Sequence, residues 1–213
     1  MTRRIPLFPL PGVVLLPGTL LPLHIFEPRY RRMVSDALSG DRTIGMAMLR
    51  GGIESDAGGS PIYAVGGAGE IIESEELEDG RWNILLEERF RYRIVEETSS
   101  APYRIATVEP IAAAPFSRAE EESRVTELAS KVFAVVRTEI ELPPLPEGDL
   151  PVERLASEIA LRLRYRPEEL QALLEIDSLA SRFAALIGRM VEWQKRVEFL
   201  ADFRPADPDA SRN

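Results

Sequence analysis

The sequence contains no cysteine and a single histidine, His24. Without thiols the chain can form no disulfide, iron–sulfur cluster or thiolate zinc site, and it has no cysteine nucleophile. A zinc site needs several nitrogen or sulfur ligands, which one histidine does not supply. His24 lies in the apolar run LLPLHIF, which favours a partly buried structural histidine over a catalytic one. We therefore expect no metal and no cofactor.

Other signs of catalysis are also scarce. Lys131 and Lys195 are the two lysines, and both fall in helical segments beside polar neighbours, which makes a Ser–Lys dyad unexpected. The sequence has neither the GxxxxGK[ST] nor the GxGxxG phosphate-binding pattern. The acidic run ESEELED, residues 73–79, lacks the spacing of a calcium loop and indicates a solvated hairpin. We expect a protein that is not an enzyme; a carboxylate-based hydrolase using Glu87 and Glu88 stays open.

Positive charge is in deficit, with 26 basic and 35 acidic residues and a net charge of −9. Such a surface repels phosphate backbones, so nucleic acid is an unlikely partner. The segment RFRYR, residues 89–93, is the exception, because its arginines alternate with aromatic residues as in many RNA-binding strands. A period of two, however, sends the rings to one face and the charges to the other, whereas readers of single-stranded RNA expose their aromatics beside the charges. An RNA-binding module using Arg89, Arg91 and Arg93 is the alternative function.

Residues 5–26 contain no acidic residue, lysine or arginine, and this length could span a bilayer. Prolines interrupt the segment repeatedly, and each removes a backbone donor that lipid cannot replace. These prolines are Pro6, Pro9, Pro11, Pro17 and Pro22. The segment therefore predicts short buried strands, no membrane contact and a cytoplasmic location.

The first half of the chain has the pattern of strands with one helix. Pro28 suits the first turn of a helix that Gly40 ends, and Asp79-Gly80 indicates a hairpin turn, which we expect to be longer than two residues. The predicted strands are Ile5 to Leu10, Leu20 to Phe26, Thr43 to Leu49, Tyr63 to Ile72, Arg81 to Val95 and Tyr103 to Ile111.

Within Arg81 to Val95, apolar and charged residues alternate cleanly except at Glu88, which falls on the apolar face. We expect a β-bulge near Glu87-Glu88 that redirects this side chain. The glycine-rich segment VGGAGE, residues 65–70, predicts a kink or a close approach between backbones.

The second half has helical periodicity, interrupted by ELPPLPEGDLP at residues 141–151. We predict a β-rich domain over residues 1–112 and a helical bundle with a long final helix over residues 113–204. The polar end of the chain, residues 205–213, predicts a disordered tail.

Several segments together resemble the substrate-binding, N-terminal domain of Lon-type proteases. They are PLFPLPGVVLLPGTLLPLHIFEPRYRRMV, DRTIGMAML, YAVGGAGEI, DGRWNILLEERFRYRIVEE, PYRIATVE and LLEIDSLASRFAALIGRM, which extend from residue 5 to about residue 200. The resemblance implies an α+β fold, with a PUA-like β pseudo-barrel that carries one short helix, followed by a helical bundle. Glu88 stands where the family usually has glycine. Since the chain ends at Asn213, it resembles a stand-alone Lon-domain protein without the ATPase and peptidase domains.

The resemblance implies a non-catalytic module that binds peptide or protein, acting in protein quality control or as an adaptor. Its partner would be unfolded or extended polypeptide, or one dedicated protein. Grooves that bind extended chains combine apolar walls with a few polar anchors. On that basis the candidate peptide-binding residues are Pro17, Gly18, Phe26, Arg29 and Tyr30.

Overall fold

The computed structural model describes residues 1–51, 60–99, 102–139, 143–148 and 150–202, so the tail predicted to be disordered lies outside the described residues. The strands precede four of the five described helices, as predicted. In chain order the elements are β1 (Arg3–Leu10), β2 (Leu20–Ile25), α1 (Pro28–Leu38), β3 (Thr43–Met48), β4 (Val65–Glu76), β5 (Trp82–Ser99), β6 (Arg104–Ile111), α2 (Ala119–Glu139), α3 (Val152–Arg162), α4 (Pro167–Glu175) and α5 (Leu179–Asp202).

The six strands form one sheet in the order β2-β5-β4-β3-β1-β6, and β5 also pairs with β6. This extra pairing closes a ring that contains every strand except β2. The ring closes because β5 is long: its second half pairs with β6, from Arg91 opposite Ile111 to Ser99 opposite Ile105. The first half of β5 pairs with β2, which therefore lies outside the ring at the edge of the sheet.

Two apolar cores fill the β-rich part. Ile5, Leu7 and Tyr92 belong to a small core together with residues of β6. A larger core lies beneath α1, whose buried residues Met33 and Val34 recur at helical spacing. Pro28 opens this helix, as predicted from its fixed φ angle.

The β4–β5 hairpin confirms two predictions. Its turn is longer than two residues, because the last pair is Glu76 opposite Trp82 and Leu77 donates its N–H to the carbonyl of Arg81. The ladder also shifts register between Ala68 and Gly69, which pair with Phe90 and Glu88 and leave Arg89 as the extra residue. This is the β-bulge expected near Glu87-Glu88. It does not redirect Glu88, which is 9% exposed and lies on the same face as Leu86, so that part of the prediction is wrong.

The glycine-rich segment passes close to another part of the backbone, as predicted. A Cβ atom on Gly67 would lie 2.2 Å from the carbonyl oxygen of Leu15, a distance that real Cβ atoms do not adopt. Glycine at this position therefore lets β4 touch the segment that precedes β2.

The helices α2 to α5 share a third core, which also includes Leu16 and Val65 from the β-rich part. The helices thus pack directly against the sheet. This architecture confirms the predicted α+β class; the PUA-like label and the domain division at residue 112 stay predictions. None of the helices among the described residues is both long and apolar enough to cross a membrane.

Candidate functional site

The five predicted peptide-binding residues do not form one surface. Pro17 and Tyr30 are buried, Gly18 and Arg29 are half-buried, and Phe26 is 61% exposed. The six-residue strand β2, about 20 Å long at roughly 3.3 Å per residue, lies between Gly18 and Phe26. The ring of Tyr30 packs against that of Phe8, with centroids 4.4 Å apart. The guanidinium of Arg29 lies over the ring of Tyr30 itself, 4.5 Å from its centroid. Of the five residues, Phe26 is the one whose side chain is largely exposed and available to a partner.

The Pro17-Gly18 turn is a junction between the sheet and the helices. Gly18 has a φ angle of 68°, and a Cβ atom there would lie 2.9 Å from Cβ of Arg154 in α3. Its N–H donates to the carboxylate of Glu88 at 2.8 Å. The turn therefore holds α3 against the sheet.

Glu88 is a buried carboxyl group, 9% exposed. Burial raises the pKa of this group from 4.5 to about 7, and the nearby carboxylate of Glu153 adds to the effect. The N–H of Gly18 and the guanidinium groups of Arg91 and Arg182 oppose the rise in pKa without cancelling it. With this pKa the carboxyl group of Glu88 ionises near neutral pH, at the contact between the Pro17-Gly18 turn and β5.

Arg91, the middle arginine of the RNA-binding alternative, is buried. Arg91 is 2% exposed, and its Nη1 donates to the carbonyls of Leu174 and Ile176 at 2.7 and 3.2 Å. The outer face of β5 is covered here by the segment that joins α4 to α5. Arg89 pairs with Glu70 and Glu87 at the surface, and Arg93 is exposed and forms no ion pair with a described residue. The RNA-binding alternative therefore loses its central residue.

The exposed apolar residues of β2 lie on one face of the sheet. Leu20, Pro22 and His24 alternate with the less exposed Leu21, Leu23 and Ile25, as the period of two requires. Leu20 is 49% exposed, and Pro22 lies opposite the half-buried Leu85 of β5. Phe26 follows directly after the strand. We call Leu20, Pro22, Phe26 and Leu85 the β2 strip.

The strip borders an open sheet edge. Glu88 donates its N–H to the carbonyl of Thr19 at 3.0 Å, so these two residues are a hydrogen-bonded pair of the β2–β5 ladder. Because hydrogen-bonded and non-bonded pairs alternate, Leu20, Pro22 and His24 direct their backbone groups away from β5. No strand among the described residues pairs with that side of β2. Pro22 suits the position, since it has no N–H to leave unpaired.

His24 is exposed, which corrects the expectation of a partly buried histidine. Arg81 donates to its Nε2 at 3.2 Å, so the ring proton lies on Nδ1, which donates to Oδ1 of Asn83 at 2.7 Å. Asn83 in turn donates to Glu75 at 3.1 Å. The ring of Phe26 stacks on that of His24, with centroids 6.4 Å apart. The polar chain thus holds the His24 ring against which Phe26, at the end of the strip, packs.

A shallow hollow of about 330 Å³ lies between the strip and β4. Pro22 and Leu85 form its apolar side, and Glu73 and Glu75 form its acidic side. Among the described residues no ion pair involves either carboxylate, and no group of three or more histidines and carboxylates could hold a metal. The face therefore offers apolar contact and negative charge to a ligand.

Of the residues of this surface, only Phe26 was predicted from the sequence as a binding residue, although the sequence contains a signal for the others on β2. Within LLPLHIF the period of two groups Leu20, Pro22, His24 and Phe26 on one face, and proline and histidine mark it as the outward one. Leu85, Glu73 and Glu75 become part of the surface through strand pairing, which the sequence pattern does not reveal.

Comparison with known proteins gives a consistent result. The model of the ATP-dependent protease La (LON) substrate-binding domain matches residues 4–192. Lon protease 2 of Myxococcus xanthus is 28% identical over 86% of this chain, and Lon protease of Escherichia coli K12 is 25% identical over 88%. The chain spans about a quarter of these relatives, 23% and 24% of their lengths.

Solved structures share the fold. The N-terminal domain of Lon protease from the Mycobacterium avium complex superposes with a TM-score of 0.64 at 16% identity, covering 89% of this chain and 98% of that one. A Lon N-terminal domain protein from Xanthomonas campestris gives 0.62 at 22% identity, covering 87% and 98%. The chain belongs to the family of Lon substrate-binding domains.

Proposed function

We propose that this chain is a non-catalytic module that binds extended polypeptide segments through the β2 strip. The observation that carries the proposal is the exposure of Leu20 and Phe26, 49% and 61%, at the two ends of one face of β2, along an open sheet edge. Membership of a substrate-binding family supports a role in recognition of protein.

Exposed apolar side chains grouped on one face favour contact with another molecule. Burying a phenylalanine side chain is worth about 1.5–3 kcal/mol, so Phe26 alone can supply tenfold or more in affinity. The open edge of β2 leaves the strip accessible along its length, which suits an extended chain better than a compact ligand.

The test is the fluorescence anisotropy of a labelled, permanently unfolded polypeptide titrated with the protein. We expect saturable binding that Phe26→Ser weakens about tenfold. Phe199→Ser is the matched control, because Phe199 is also exposed, at 62%, but belongs to α5. Equal binding by wild type and Phe26→Ser would contradict this location, and loss of binding in both variants would point to a nonspecific effect of removing phenylalanine.

A labelled single-stranded RNA serves as the second probe. We expect no saturable binding to it, since the net charge is −9 and Arg91 is buried. The same proposal places the module in the cytoplasm, in protein quality control or as an adaptor. Its partner is unfolded polypeptide or one dedicated protein.

A further inference from the structure

We propose that the preferred ligands of the β2 strip are polypeptide segments that carry a lysine or arginine about three residues from an apolar anchor. This inference rests on the proposed function and adds the chemical class of the segment. It follows from the position of two carboxylates on the same face of the sheet.

The carboxylates lie across the sheet from the strip. Pro22 is opposite Leu85 on β5, and Leu85 is opposite Glu73 on β4. Two residues along β2, His24 is opposite Asn83 on β5, and Asn83 is opposite Glu75 on β4. Two strand spacings separate β2 from β4, or about 10 Å. A chain that crosses β2 and β5 in the polyproline II conformation rises about 3.1 Å per residue, so about three residues cover this distance. Because this conformation has about three residues per turn, side chains three residues apart both face the sheet.

The hollow between the two sides provides room for this path. Its lining passes from Pro22 and Leu85 to Glu73 and Glu75. An apolar side chain on the strip would thus be followed by a side chain that reaches the acidic side. The hollow is shallow, so the carboxylates remain in contact with solvent and each ion pair is weak.

The charges on this face are unevenly paired. Glu70 and Glu87 both contact Arg89, at 2.9 and 2.8 Å. Glu73 and Glu75 form no ion pair with any described residue, and Glu75 accepts one hydrogen bond from Asn83. The occupant that complements them is cationic. A second copy of this chain is a poor occupant, because it carries the same carboxylates and a net charge of −9.

The test uses three labelled peptides of 12 residues that share one apolar anchor sequence with phenylalanine. They differ at two positions, each three residues from a phenylalanine, which hold lysine, glutamine or glutamate. We expect affinity in the order lysine, glutamine, glutamate, with roughly threefold to tenfold between lysine and glutamine at low salt. The preference should shrink as salt screens the exposed charges.

Glu73→Gln/Glu75→Gln should bind the lysine and glutamine peptides equally. The matched control is Glu109→Gln/Glu120→Gln, which removes the same charge from exposed positions on β6 and α2. We expect this control to keep the preference for lysine. Far-UV circular dichroism and a urea midpoint would verify that both variants are folded.

The outcomes separate the two proposals. Equal binding of all three peptides, with loss in Phe26→Ser, would overturn the inference and leave the proposed function standing. A preference for lysine that is equal in both double variants would also overturn the inference. Absence of binding to any peptide and to unfolded polypeptide would overturn both. A dimer in sedimentation that Phe26→Ser converts to monomer would assign the face to a second copy and overturn the inference.

Discussion

Replacing Glu88 by glutamine should stabilise the folded protein at neutral and alkaline pH. Glu88 is buried, and its carboxylate accepts the N–H of Gly18 at 2.8 Å. Glutamine retains a carbonyl oxygen for this hydrogen bond and cannot ionise. The substitution therefore removes the cost of a buried negative charge while leaving the contact with the Pro17-Gly18 turn in place.

The size of the effect follows from the pKa of Glu88, which burial raises from 4.5 to about 7. At about 1.4 kcal/mol per pH unit, the ionised group costs the folded state about 3 kcal/mol. Below pH 4.5 the group is protonated in both states, and the cost vanishes. Between pH 4.5 and 7 the unfolded chain has released its proton while the folded chain retains it, so stability falls as pH rises. Above pH 7 the full cost is present.

Urea unfolding followed by circular dichroism at several pH values between 4.5 and 8.5 measures this profile. We expect Glu88→Gln to be about 2–3 kcal/mol more stable than wild type at pH 8 and nearly equal to it at pH 4.5. Glu87→Gln is the control, because Glu87 is the neighbouring residue and pairs with Arg89 at the surface. Its effect should stay below about 1 kcal/mol and vary little across this range.

A loss of stability in Glu88→Gln would mean that the folded protein favours the ionised form of Glu88. Arg91 and Arg182 both attract a negative charge on Glu88. If that attraction outweighed burial, Glu88→Gln would lower stability at pH 8, and the loss would grow with pH. A difference between variant and wild type that does not change with pH would show that Glu88 does not titrate near neutrality.

Two further substitutions test the packing that supports the site. Gly67→Ala should lower the free energy of unfolding by about 1–3 kcal/mol, since its Cβ would lie 2.2 Å from the carbonyl oxygen of Leu15. The control Gly188→Ala has open space around its Cβ and should be neutral or stabilising. Equal urea midpoints for the two variants would contradict the close approach at Gly67. Arg91→Met should lower the free energy of unfolding by about 2–3 kcal/mol, because the carbonyls of Leu174 and Ile176 lose a charged donor. The control Arg93→Met changes an exposed residue and should have little effect. An unchanged thermal unfolding midpoint in Arg91→Met would contradict this contact with the helices.

Local signals in the sequence predicted the elements of the fold well. Pro28 marks the start of α1, and Asp79-Gly80 lies in the turn between β4 and β5. The mismatch at Glu88 predicted the bulge, because a single residue out of phase in a clean alternation requires an extra residue in the ladder. These features depend on a few neighbouring residues, and the sequence contains that information.

Arg91 shows why the rest could not be predicted. The period of two correctly separates its face from that of Tyr92, but it does not say what covers each face. The helices cover the face on which Arg91 lies, and the bulge at Arg89 puts Arg91 on the face of Glu88 rather than on that of Leu85. Likewise His24 is exposed because β2 lies outside the closed ring, which depends on the pairing of β5 with β6. Such long-range arrangements determine both the burial of Arg91 and the exposure of the β2 strip.

The most direct test of the central claim is a two-dimensional ¹H–¹⁵N NMR titration of the labelled protein with an unlabelled unfolded polypeptide. We expect saturable chemical-shift changes in Leu20, Phe26 and Leu85 of the β2 strip and in the neighbouring His24, with little change in α2 and α5. Shift changes confined to the helices, or none at concentrations where the polypeptide binds by anisotropy, would contradict the claim.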